Sequence, residues 1–318
     1  MKVHTTEGER ALHHVTRFDQ SDLAVPSGYE GTSAGYRRVS HIDRAVGAVH
    51  TGFGTCEIHG GGRVGAHVHS YEEFVYVLEG NPVLVVDGHG FELAADACAF
   101  VPVGATHAWE NPSDASCRWI DLQTPQARPV TDPPDTFFVP DPGSVEVTQL
   151  DVRDPRTRSF ARWSRAQMDL EALKRPAPVD AAEISSSMSS ALLAYSGIGV
   201  KMLIDERHGA HLGNLFMVDY QVDVILHPHD HPVEEAFYML EGEVVYTADG
   251  EEYTLRVGDV AYAGVGCIHS FENRSGKRTR WLESRAPLPP LHHAYRFNRD
   301  WDYLAERLDS ARTAEASR

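Results

Sequence analysis

His67–Gly80 reads HVHSYEEFVYVLEG, and His229–Gly242 reads HDHPVEEAFYMLEG. The two stretches lie 162 residues apart, and that one offset aligns His67 with His229, His69 with His231, Glu72-Glu73 with Glu234-Glu235 and Gly80 with Gly242. The register runs on without a gap through Asp87-Gly88 and Asp249-Gly250, His107 and His269, Asn111 and Asn273, and Arg118-Trp119 and Arg280-Trp281. So long a match at a single offset marks an internal duplication, and the chain carries two homologous domains.

Each copy reads as β. FVYVLEG and AFYMLEG are rich in aromatic and β-branched residues, and the Asp-Gly pairs sit between apolar runs as hairpin signals. Short strands punctuated by Gly and Pro predict a sandwich or small barrel. The chain divides into an N-terminal arm (1–35), a first barrel (36–124), a connector (125–197), a second barrel (198–286) and a helical tail (287–318). Proline-rich Pro125–Gly143 predicts an extended connector. Ser164–Lys174 predicts a short helix, with a Ser164/Gln167 capping box at its start and Pro176 to stop it. Asp300–Ala311 predicts a second helix.

A net charge of −17 argues against nucleic acid, whose phosphates it would repel. No run of 18 apolar residues suggests a membrane span, and the N-terminus lacks the apolar core of a signal peptide. Cys56, Cys98, Cys117 and Cys267 contain no C-x-x-C pair, which predicts buried thiols in a reducing cytoplasm.

Alternate residues of a strand share a face, so His67 and His69 point one way. Glu73 follows across a short bend, and His107 returns on a later strand, 40 residues after His67. His229, His231, Glu235 and His269 repeat the set with the same spacing. Three imidazoles and a carboxylate, without a thiolate, suit a divalent iron, manganese, nickel, cobalt or zinc ion and disfavour a cysteine-type structural zinc. Four protein ligands on an octahedral ion leave two positions open, which is a catalytic arrangement. In the second set His227 could share the face of His229, and Glu234 could replace Glu235.

Glu72 and Glu234 should point away from the ligands, which predicts a salt bridge or surface role. Asn111 and Asn273 are expected to hold turns. Arg118-Trp119 and Arg280-Trp281 admit two readings, packing against the connector or an arginine at the barrel mouth that binds a carboxylate. Tyr76, Tyr238, Trp109, Phe271 and Phe91 are core candidates. His59, His208, His211, His292 and His293 have no matched partners.

These residues resemble the cupins, whose two motifs are G-x5-H-x-H-x3,4-E-x6-G and G-x5-P-x-G-x2-H-x3-N. The first copy matches at Gly61, His67, His69, Glu73 and Gly80, then at Pro102, Gly104, His107 and Asn111, with Asp96 in a glycine position. The second matches at His229, His231, Glu235 and Gly242, then at Gly258, Gly266, His269 and Asn273. Asp223 there replaces a glycine and Gly264 a proline. The departures fall on turns, not ligands.

The resemblance implies an all-β bicupin of tandem jelly-roll barrels with minor helices and two metal sites. It also implies an enzyme acting on a small oxygenated or carboxylate molecule. Cupin dioxygenases of the quercetin and gentisate type favour Fe(II) and dioxygen as co-substrate. Manganese oxalate decarboxylases offer the non-redox alternative, ahead of ureidoglycine aminohydrolases; seed-globulin binding proteins have usually lost the ligands. A monomer or a homo-oligomer fits equally.

Overall fold

The computed structural model describes residues 12–129, 131–169, 193 and 196–288, and the backbone of 296–297. The first half holds β1 (His13–Arg17), β2 (Ser33–Ile42), β3 (Gly52–His69), β4 (Glu72–Glu79), β5 (Val83–Val86), β6 (His89–Glu92), β7 (Ala97–Val101), β8 (His107–Glu110) and β9 (Cys117–Thr124). The connector adds β10 (Thr136–Phe138), β11 (Val147–Gln149) and β12 (Phe160–Arg162). The second half holds β13 (Ile198–Ile204), β14 (Asn214–Tyr220), β15 (Ile225–Asp230), β16 (Glu234–Glu241), β17 (Glu243–Ala248), β18 (Glu251–Arg256), β19 (Asp259–Ala263), β20 (His269–Glu272) and β21 (Thr279–Ala286), with β22 (Arg296–Phe297) beyond them. The expectation of an all-β chain with two jelly-roll barrels holds.

Strand register repeats the sequence offset. Arg38 pairs with Cys56 as Val200 pairs with Val218, Gly54 with Asp121 as Phe216 with Glu283, and Glu73 with Gln123 as Glu235 with Arg285. The two aspartates in motif glycine positions keep the backbone shape: Asp223 has φ +58° where Gly61 has +71°, and Asp96 has +68° where Gly258 has +87°. A short polar side chain is among the few that tolerate this left-handed region. Asn111 ties its turn as expected, donating from Nδ2 to the carbonyls of Ile58 and Ala115, and Asn273 donates likewise to Gln221 and Lys277.

Alternation along β4 sets the core. Val75 and Val77 face the barrel interior, whereas Phe74 and Tyr76 pack into an apolar layer that also holds Met217, Tyr238 and Leu282 from the second barrel. On β16, Phe237 and Met239 face inward while Ala236 and Tyr238 join the shared layer. Burying side chains of this size contributes on the order of 1.5–3 kcal/mol each, so the barrels are joined by a true core. Trp109 and Phe91 lie in the first barrel's own core and Phe271 in the second's. All four cysteines are buried free thiols.

The position of Glu72 and Glu234 corrects the sequence reading. Both are buried at that same junction. Glu72 accepts from the backbone N–H groups of His211 and Leu212, and Glu234 from those of Val49, His50 and Thr51. Each barrel thus clamps the matching loop of the other. Alternation did turn these carboxylates away from the ligands, but the opposite face is an interface rather than a surface.

The segments outside the barrels wrap them. β1 extends the second barrel's sheet by pairing with β19, while β12 pairs with β7 of the first. β10 and β11 pair with β3 and β6, so the connector is extended. In place of the expected helix from Ser164 there is a 3-10 turn, Arg165–Met168, whose Gln167 side chain accepts from the Ser164 N–H. Residues 170–174, the helix expected over 300–311, and His292 and His293 lie outside the described residues. No helix among the described residues is long and apolar enough to cross a membrane.

Candidate metal centre

The opening stretch is two strands joined by a tight bend at Ser70 and Tyr71. His67 and His69 end β3, and Glu73 is the second residue of β4. β8 returns alongside β3 with His107 directly opposite His67. Nε2 of His69 and Nε2 of His107 each lie 3.4 Å from Glu73 Oε2. These three residues offer ligand atoms all within 4.8 Å of one another. The His67 ring lies beside this triangle, its centroid 4.0 Å from that of His107. All four side chains are buried.

Hydrogen bonding fixes what these rings present. The Nδ1 atoms of His67, His69 and His107 lie 2.9, 2.6 and 3.1 Å from the carbonyls of Gly65, Tyr71 and Ala105. A carbonyl only accepts, so Nδ1 carries the proton and Nε2 of each neutral ring is bare. The Nε2 atoms of His69 and His107 have no hydrogen-bond partner among the described residues. Bare nitrogens therefore face a carboxylate oxygen in a buried site, an array of acceptors that a cation would satisfy. Burial and the neighbouring His107 push His67 down to about 3, favouring the neutral ligand form. Burial opposes ionisation of Glu73, but its close contacts with His107 and His69 outweigh it and hold the carboxyl well below its usual range.

The second set converges in the same way, with one addition. His229, His231 and His269 offer nitrogens all within 4.8 Å. His229 faces His269 across the strands, and their Nδ1 atoms donate to the carbonyls of His227 and Cys267. Glu235 reaches His269 at 3.0 Å and His231 at 3.4 Å. Its Oε1, however, accepts from Arg285 Nε at 2.5 Å, and Arg285 also bonds Glu283 and lies over the Phe216 ring. Burial and the nearby Glu235 push Glu283 up to about 7. Of the two competitors, His227 offers its carbonyl to His229, and Glu234 points to the other barrel.

The spaces around the two sets differ more than the sets do. A cavity of about 350 Å³ opens beside His67 and Glu73, walled by Tyr29, Tyr36, Tyr71, Trp109 and Phe138. Beside His229 and Glu235 only about 30 Å³ remains, closed by Phe216, Tyr220, Phe237, Phe271 and Trp281.

The first cavity also holds a cation that the motifs do not contain. Arg38, from β2, donates from Nε to Asp121 at 2.8 Å, and its Nη2 has no hydrogen-bond partner among the described residues. It lies flat over Gly54, where a Cβ would stand 2.6 Å from Nη2. The arginines at the matched Arg-Trp pairs do something else. Arg118 bonds Glu57, and Arg280 stacks 3.7 Å from the centre of the Trp163 ring. Packing against the connector is therefore observed for Arg280, whereas Arg118 pairs within its own barrel and lies over Phe18. Arg38 escaped notice because it lies outside both motifs, and position 200, its counterpart at the same offset, is a valine.

Comparison with known proteins sharpens these observations. The cupin domain model matches residues 54–123 and 216–284, one stretch in each barrel. The tetracenomycin polyketide synthase protein TcmJ of Streptomyces glaucescens is 31% identical over 141 residues, which cover 44% of this chain and 92% of TcmJ. The polyketide synthase CurC of Streptomyces cyaneus is 36% identical over 83 residues, 26% of this chain and about half (54%) of CurC. Among solved structures, salicylate 1,2-dioxygenase from Pseudaminobacter salicylatoxidans superposes with a TM-score of 0.66 at 15% identity, covering 90% of this chain and 86% of its own.

Proposed function

The chain belongs to the cupin family, with one cupin domain in each half, and on that premise we propose that it is a metal-dependent enzyme whose reaction takes place in the first barrel. One observation carries the reading: bare, buried imidazole nitrogens and Glu73 converge beside a cavity of about 350 Å³ that Arg38 also lines. His67, His69, Glu73 and His107 would hold the ion. Fe(II) is the favoured occupant, and Mn, Ni, Co or Zn suit the same donors. When bound, such an ion supplies Lewis acidity and, if redox-active, a route for dioxygen to react with the substrate.

The chain's own residues define the substrate. Arg38 lines the cavity and offers its guanidinium to an anionic oxygen group, with Asp121 holding it through Nε. Tyr36 and Trp109 offer flat walls, which suits an aromatic or otherwise planar molecule. Burial raises the phenols of Tyr29 and Tyr71 above their ordinary value, so at neutral pH both keep their O–H protons for donation. We therefore read the substrate as a small, planar, oxygenated anion and the reaction as a dioxygenation. The fold shared with salicylate 1,2-dioxygenase, which has been solved with gentisate, supports that choice. The similarity to two polyketide synthase proteins favours a second reading, a non-redox reaction on a phenolic polyketide-like molecule.

Oxygen uptake by anaerobically purified, Fe(II)-loaded protein separates the two, using hydroxybenzoates and polyphenols as probes. Dioxygenation requires one dioxygen consumed per substrate lost. Metal-dependent turnover without oxygen uptake selects the non-redox reading, and no turnover of any planar anion rejects both.

A further inference from the structure

We propose a third metal site with a different donor set, formed by His13, Asp249 and Cys267 at the edge of the second barrel and suited to Zn²⁺ or Co²⁺. Its donors come from three separate elements: β1, the Asp-Gly turn between β17 and β18, and the turn between β19 and β20. Their ligand atoms all lie within 4.8 Å of one another. His13 Nδ1 is 3.6 Å from Asp249 Oδ2. Two ligands on a tetrahedral zinc, each about 2.1 Å from the ion, stand about 3.4 Å apart, so this pair is already spaced for one.

The hydrogen bonds around His13 say which of its nitrogens is bare. Tyr253 donates its hydroxyl proton to Glu251 at 2.6 Å, so its oxygen accepts from His13 Nε2 at 2.9 Å. In the neutral ring Nδ1 then has a lone pair, and it is aimed at a carboxylate. His13 is only 8% exposed, and Nδ1 has no hydrogen-bond partner among the described residues. Asp249 Oδ1 accepts from the Ile268 N–H, leaving Oδ2 for the ion. Cys267, fully buried, supplies a thiol whose proton passes to water on coordination. Asp249 is exposed, which gives an ion its path in and a solvent ligand in the fourth position.

The duplicated fold does not account for this cluster. Asp87 occupies the matching turn of the first barrel and makes the matching backbone bond, to Thr106 as Asp249 does to Ile268. There, however, Ala105 replaces Cys267, and β1 brings its imidazole only to the second barrel. The aspartate belongs to the turn; the histidine and the cysteine are additions particular to this end of the molecule. An ion here would pin the N-terminal strand to the second barrel.

A Co²⁺ titration of the metal-stripped full chain tests the proposal, read by thiolate-to-cobalt charge-transfer absorption in the near ultraviolet. Neither histidine–glutamate set contains sulfur, so neither produces that band. The expected band reaches the intensity of one cobalt–thiolate bond per chain and disappears in Cys267→Ser. It weakens about tenfold in affinity in Asp249→Asn and persists in His107→Ala and His231→Ala. No band at saturating Co²⁺ overturns the site. So does a band that survives Cys267→Ser, or an Asp249→Asn chain that keeps wild-type Co²⁺ affinity.

Discussion

The two barrels carry the same four ligand residues at the same spacing and differ in the walls around them. At the offset of 162 residues, Gly54 faces Phe216, Arg38 faces Val200, Asp121 faces Glu283 and Gln123 faces Arg285. In each barrel an arginine stands beside the ligand set, but on a different strand. In the first, Arg38 lies over a glycine and pairs with Asp121, which leaves Glu73 to the histidines. In the second, Arg285 stands across the strands from Glu235 and claims one of its oxygens, while phenylalanine fills the space that the glycine leaves open. Ligand spacing thus establishes that a site can form, and the residues that wall the ligands decide whether it has room and a free carboxylate.

Exchanging wall residues between the barrels is the way to break this comparison. The largest effect is expected from Gly54→Phe, which gives the first barrel the second's residue. It should fill the cavity, displace Arg38 and reduce turnover by at least about 100-fold, read as kcat/KM on whichever substrate the oxygen-uptake screen identifies. The reverse change, Phe216→Ala, opens space in the second barrel without creating a reaction there. It should lower stability by about 3–5 kcal/mol in denaturant titration while leaving kcat/KM within about twofold.

The clamps come next. Glu234→Ala removes the acceptor of three backbone N–H groups of the first barrel, of which Thr51's is buried, and Glu72→Ala removes that of two in the second. Losses of about 3 kcal/mol and about 2 kcal/mol are expected, in that order, in chemical unfolding. If both variants unfold like the wild type, the junction is not the shared core described above. The smallest effect sharpens the comparison. Arg285→Gln gives the second barrel the first's residue and frees Glu235, so metal affinity at His229, His231 and His269 should rise about tenfold, or about 1.4 kcal/mol, in a chelator competition.

Much of this was legible in the sequence. The offset alone placed both barrels, and strand alternation put His67 and His69 on one face and Glu72 opposite Glu73. The donor types of the ligand sets called for a divalent ion. What alternation could not supply was the identity of the opposite face: Glu72 looks solvated until the second barrel is laid against it. Arg38 was hidden because a residue acquires a role in a cavity through strand pairing, and β2 lies outside the motif stretches. Arg285 was within reach, since Gln123 and Arg285 occupy the same repeat position, but the difference gains meaning only once register sets each beside its glutamate. His13 was the least legible, because nothing in the arm's sequence says which barrel its strand will join.

The inequality of the two ligand sets is tested most directly by Mn²⁺ binding, followed through the electron paramagnetic resonance of the free ion, together with turnover in two single variants. His269→Ala is expected to keep the tight Mn²⁺ site and most of the wild-type turnover. His107→Ala is expected to lose that site and to fall by about 100-fold or more in turnover. Two variants that bind Mn²⁺ equally well, each retaining about half the turnover, would contradict a single working barrel and make the walls irrelevant.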